Sequence, residues 1–191
     1  MFIDRIVTTL KGLQPLTVQA HCDTADGPAV KDGRTALETG NINYALTWTP
    51  AEGEAELRGV FEKALRVRTL GAEAAELADR LFLETLVRIH RMGEGVGFTG
   101  IQPAGTEVDP IVEAADQAIA EGSDAGLLPM VPQERRAGLA DRFRAALAMK
   151  EFDVDDLAAA RRYVAAYVDF FTYAEGEDHE RHAHPAHAHQ H

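Results

Sequence analysis

The chain has 191 residues, enough for one sizeable core or two small ones, and a formal net charge of −12. That charge excludes nucleic acid and an anionic membrane as partners, since both need basic surface. One cysteine cannot form an intrachain disulfide, and no apolar run approaches the roughly 18 residues that span a bilayer.

Residues 1–20 form a propeptide-like leader ending in Val18-Gln19-Ala20, a small-residue cleavage pattern. Lys11, Gln14 and Pro15 interrupt its apolar stretch and Asp4 replaces basic character near the start, so the export signal is weak and the expected location is cytoplasmic. The next three residues, His21-Cys22-Asp23, contain the only cysteine. After cleavage following Ala20, His21 would offer an amine and an imidazole, and Cys22 a thiolate and an amide nitrogen. Such groups close chelate rings around a soft or borderline divalent ion such as nickel or copper. The competing reading is structural: a lone cysteine is a small buried hydrophobe, and Asp23 or Asp26 caps the helix opening at Pro28.

Residues 21–175 read as an all-α bundle built from two tandem repeats offset by 82 residues. Pro28-Ala29-Val30 answers Pro110-Ile111-Val112, and Ala36-Leu37-Glu38-Thr39-Gly40 answers Ala118-Ile119-Ala120-Glu121-Gly122. Pro50 matches Pro132, Leu57 matches Leu139, Phe61 matches Phe143 and Leu65 matches Leu147. Repeat one spans 28–95, a Gly- and Pro-containing linker spans 96–109, and repeat two spans 110–175. Within repeat one, Leu57, Val60, Phe61, Ala64 and Leu65 predict a helix over about Ala51 to Leu70. Leu77, Leu81, Phe82, Leu86 and Ile89 predict another over about Ala72 to Met92, stopped by Gly93 and Gly95.

Late in that second helix, Glu84 and Arg88 are spaced as an i,i+4 pair, and His90 is the one histidine of the folded body besides His21. His90 is a candidate extra ligand, proton donor or supporting partner, set against an ordinary helix histidine. Tyr44 and Trp48 are expected at the base of the His-Cys segment. In repeat two, Leu139, Phe143, Ala146 and Leu147 mark one helix, and Asp153 as N-cap with Asp156 at the third position opens the last. From residue 176 the chain loses apolar content. Its histidines His182, His184, His187, His189 and His191 predict a disordered tail that doubles as a loose secondary metal store.

The leader and Ala20-His21-Cys22-Asp23 together resemble nickel superoxide dismutase precursors, over the leader and about seven residues ending at Gly27. The whole chain looks more like an uncharacterised bacterial family sharing the His-Cys-Asp…Gly-Pro opening. The nickel enzyme resemblance implies a four-helix bundle, removal of the leader by a peptidase, homo-oligomerisation, and a nickel hook cycling on superoxide. Carried over, His21 and Cys22 are the catalytic and metal-binding pair, with Asp23 and Asp26 completing the metal set and copper or zinc as alternative ions. Asp26 stands where that family has a second thiolate, and Ala29 where it has a tyrosine. A hard carboxylate in place of a thiolate makes trivalent nickel harder to reach, so metal binding survives the change more easily than catalysis. The alternative function is therefore a non-catalytic nickel- or copper-binding or storage protein.

Overall fold

A computed structural model of the chain describes residues 21–176. The leader and the tail histidines His182, His184, His187, His189 and His191 lie outside the described residues. Within them the chain is all-α, as expected: α1 (Pro28–Thr39), α2 (Asn43–Leu46), α3 (Glu54–Val67), α4 (Ala72–Gly93), α5 (Pro110–Glu121), α6 (Arg136–Met149) and α7 (Leu157–Ala174). An isolated parallel bridge pairs Thr24 with Gln102, and among the described residues no helix is long and apolar enough to cross a membrane.

The helix boundaries repeat as the residues do. α1 and α5 each begin on a proline, whose missing N–H is no loss in a first turn. Each ends on a left-handed glycine, Gly40 (φ 73°) and Gly122 (φ 71°), whose N–H closes onto the carbonyl of Ala36 or Ala118. Pro50 and Pro132 each restart the chain through a single 3-10 turn leading into α3 and α6. α3 then packs on α4, and α6 on α7. The same aromatic contact recurs at each: Phe61 lies 5.2 Å from Phe82, and Phe143 lies 5.6 Å from Phe170, centroid to centroid.

One continuous apolar core runs through both units. Its polar clamp is Arg161 of α7, whose guanidinium donates to the carbonyls of Leu46 (3.2 Å) and Thr49 (2.8 Å) and to Glu54 (2.7 Å) in the first unit. Asp155 receives both Asn41 and Asn43 at 3.0 Å.

Two local expectations change. α7 starts at Leu157 with Asp156 as its N-cap, accepting from the Ala159 N–H, because Asp153 spends its carboxylate on the Asp155 N–H in a preceding turn. Glu84 and Arg88 do not pair. Arg88 reaches across to Glu56 of α3 (2.5 Å), and Glu84 takes Arg80 one turn earlier (2.8 Å).

Candidate functional site

Residues 21–27 fold into a closed turn against the bundle. The Thr24 N–H and hydroxyl both donate to the His21 carbonyl (3.2 and 3.0 Å), and the Gly27 N–H donates to the Thr24 carbonyl (2.9 Å). Gly27 is required by proximity: a Cβ there would stand 2.3 Å from the His21 carbonyl oxygen and 3.1 Å from that of Cys22. The segment between the repeats holds this turn as well as joining the units. Gln102 donates its N–H to the Asp23 carbonyl and accepts from the Ala25 N–H, both at 2.9 Å.

The turn separates the predicted ligands. Asp26 is exposed and accepts from the Gly105 N–H at 3.0 Å, a bond that holds its carboxyl below the usual range. Neither Asp23 nor Asp26 caps α1; the N-cap is Gly27, with no side-chain cap, because both carboxylates are engaged elsewhere. Asp23 turns inward to Arg91 of α4, with Oδ2 3.2 Å from Nε. Burial pushes its carboxyl up to about 7 against the pull of that guanidinium. Its second oxygen, Oδ1, is buried with no hydrogen-bond partner.

Cys22 is buried, and its thiol is pushed well up, first by desolvation and then by the negative charges of Glu94 and Asp23. In this conformation it is a protonated thiol. His21 sets its Nε2 3.1 Å from Asp116 Oδ2 of α5, at the wall of a surface cavity of about 410 Å³ also lined by Asp26, Lys31 and Glu121. Asp116 Oδ1 accepts from the Tyr167 hydroxyl of α7 at 2.7 Å. Burial opposes charge on Asp116, but the His21 and Tyr167 hydrogen bonds outweigh it and keep the carboxyl low.

His90 is buried, 6% exposed, not a surface helix histidine. Its Nδ1 lies 3.0 Å from the Trp48 carbonyl. A carbonyl only accepts, so Nδ1 carries the proton and Nε2 keeps a lone pair. Burial lowers the basicity of the ring and keeps it neutral. Nε2 lies 3.5 Å from Glu94 Oε1, while Glu94 Oε2 accepts from Arg91 Nη1 at 3.2 Å.

The four hook residues therefore do not converge on one point, and among the described residues no three His, Cys, Asp or Glu side chains stand together as a metal site. What assembles instead is a polar cluster of His21 and the buried Cys22 and Asp23 with the buried His90 and Arg91 of α4, Glu94 just after that helix, the partly exposed Asp116 of α5 and the buried Tyr167 of α7. Trp48 sits among them, its ring edge-on to His90 (5.5 Å) and Tyr167 (6.1 Å) and its Nε1 donating to Asp32 (2.7 Å). Tyr44 lies only partly buried beside the core, and the tyrosine tied to the hook is Tyr167. Glu94, Asp116 and Tyr167 were not legible as site residues.

Residues 26–173 match a protein family described as a family of unknown function, DUF6448. The chain belongs to that family. The DUF6448 match takes in α1 to α6 and all of α7 but its last residue, while His21-Cys22-Asp23 lies just before it. No curated protein and no solved structure matches this DUF6448 chain.

Proposed function

We propose that this DUF6448 protein binds a first-row divalent metal, nickel first with copper or zinc as alternatives, at a site centred on Cys22 and His21. The observation that carries the reading is the charge around the thiol. Among the described residues, Glu94, Asp23 and Asp116 all push the Cys22 thiol up and the guanidinium of Arg91 opposes them. Buried negative charge that is underbalanced favours a cation in place of the protons it now holds. Metal binding then requires release of the Cys22 proton and opening of the turn that Gln102 holds. Cleavage after Ala20, which frees the His21 amine, is the step we assign to that opening. The resemblance of Ala20-His21-Cys22-Asp23 to the nickel dismutase opening supports the same reading.

The test is intact-mass and metal analysis of protein taken from its native host without an affinity column. A chain starting at His21 with near-stoichiometric nickel is the expected result. Retention of Met1 together with no tight metal binding at neutral pH would sink the proposal and leave a helical interaction module.

A superoxide dismutase-like activity is the oxidoreductase form of this reading, with Cys22 and His21 as its catalytic pair. It is favoured by the Tyr167–Asp116–His21 chain, which places a phenol two hydrogen bonds from the hook. Dismutation by the nickel-loaded sample, abolished in Cys22→Ala, is its test. A storage protein instead would hold more than one metal per chain and lose the excess when the residues after Glu177 are deleted.

A further inference from the structure

The apolar periodicity that predicts α4 counts Leu77 and Leu81 with Phe82, Leu86 and Ile89, yet the structure turns the first two outward. Phe82, Leu86 and Ile89 are buried, whereas Leu77 is 69% and Leu81 59% exposed, one turn apart on the outer face of the helix. Leu70, in the 3-10 turn leading into α4, is 77% exposed. Large apolar side chains presented to water in this way mark a contact surface.

The internal repeat shows what this face lacks. At the offset of 82 residues, Leu70, Leu77 and Leu81 answer Phe152, Ala159 and Tyr163 of the second unit, all of them partly buried. There Phe152 lies against Tyr163 (5.3 Å between centroids), and Asn41 and Asn43 of the first unit bond Asp155 at the head of α7. The counterpart of Asp155 is Glu73, and the counterparts of the two asparagines are Ser123 and Ala125. The pair of amides that ties down the second unit therefore has no equivalent for the first, and Glu73 stays exposed.

We propose that this face of α4 is a symmetric interface between two copies of the chain, packed antiparallel with Leu77 of each over Ala74 of the other. Charge complementarity on the page selects the occupant. The register that pairs Leu77 with Ala74 also sets Leu81 of each copy over Leu70 of the other. Glu73 and Arg80 stand two helical turns apart on one flank of the leucines. The same register draws Glu73 of each copy alongside Arg80 of the other, and the twofold supplies that opposite-charge pair twice. Arg80 now pairs with Glu84 of its own helix, an exposed i,i+4 contact of little energy, so changing partner costs little. The interface stands whether or not Cys22 holds a metal.

The test is sedimentation velocity of the full chain over a concentration series, with a chelator present so that no metal bridges the C-terminal histidines. The expected result is a monomer–dimer equilibrium. Leu77→Glu combined with Leu81→Glu should weaken dimerisation by at least about tenfold, with helicity unchanged because both positions face solvent in the single chain. Glu73→Arg and Arg80→Glu should each weaken it, and the two combined in one chain should restore it, since the swap returns an opposite-charge pair. A monomer at every concentration overturns the proposal and leaves the face to the leader or to a different protein. A dimer indifferent to the two leucines also overturns it, because the copies then meet elsewhere. A dimer lost with the leucines but not rescued by the combined swap overturns the antiparallel register.

Discussion

Trp48 and His90 meet twice: the imidazole stands edge-on to the indole at 5.5 Å, and its Nδ1 bonds the Trp48 backbone carbonyl at 3.0 Å. The tryptophan thus fixes both the tilt and the tautomer of the histidine. Its own Nε1 is committed to Asp32, so one residue ties α1 to α4 beneath the hook.

Trp48→Phe keeps the backbone carbonyl and an aromatic edge but strips Asp32 of its donor. Burial already pushes the Asp32 carboxyl up, and the indole bond is what offsets it. We expect a loss of about 1–3 kcal/mol, the cost of an unmet buried acceptor. The loss is read by urea unfolding at neutral pH and should shrink at acid pH, where Asp32 takes a proton.

Gly27→Ala places a methyl group where the His21 and Cys22 carbonyl oxygens already stand. Backbone atoms cannot swing aside as a flexible side chain can, so the turn must open. Overpacking of this kind costs about 1–3 kcal/mol. Hydrogen exchange should show the Ala25 and Gly27 amides losing protection, while the amides of α6 keep theirs. Unchanged protection at Ala25 would mean the turn absorbs the methyl.

Asp23 predicts an unusual pH dependence. Its folded value of about 7 lies above the unfolded carboxylate value of about 3.9, so between these the folded chain holds a proton the unfolded chain has released. Stability from this group is complete below about pH 4 and is lost as pH rises to about 7, at no more than about 1.4 kcal/mol per pH unit. His90 runs the other way, since a depressed imidazole is lost as pH falls below its unfolded value. The comparison with Asp23→Asn isolates the carboxyl. The stability of the variant relative to the parent should climb from pH 4 to 7 and level off above. A difference flat across that range would mean that Arg91 keeps Asp23 charged throughout.

Arg161→Ala removes the clamp from Leu46, Thr49 and Glu54 together, leaving two carbonyls and a carboxylate without that donor. We expect a loss of about 1–3 kcal/mol in chemical denaturation. Arg161→Lys should recover only part of it, because an ammonium cannot span the same three acceptors. The control is Arg58→Ala, which breaks an exposed 3.5 Å pair to the same Glu54 and should cost under about 1 kcal/mol.

Much of the fold was legible because it rests on local chemistry that occurs twice. Pro28 and Pro110, Gly40 and Gly122, and Phe61 and Phe143 mark starts, stops and core contacts by their own conformational limits. A repeat of 82 residues makes each unit evidence for the other. Apolar periodicity and Gly71 place α3 and α4, but the expected span Ala51 to Leu70 is α-helical only over Glu54–Val67, with a 3-10 turn at each end, and Gly93 closes α4 from inside it. The start of α7 did not follow, since Asp153 and Asp156 can both serve as caps and only the turn around Asp155 selects between them.

For the site, the sequence by itself marked His21-Cys22-Asp23 and His90 as chemically unusual, because their atoms are rare and reactive wherever they stand. It could not say which of them share a volume. Asp26 is three residues from Asp23, yet the turn closed by Gly27 sends one carboxylate to solvent and the other inward to Arg91. Glu94 follows the end of α4, Asp116 lies in α5 and Tyr167 in α7, far apart in the chain. Only the packing of the two units sets them around Cys22, because burial and opposed charges depend on neighbours in space and not along the chain.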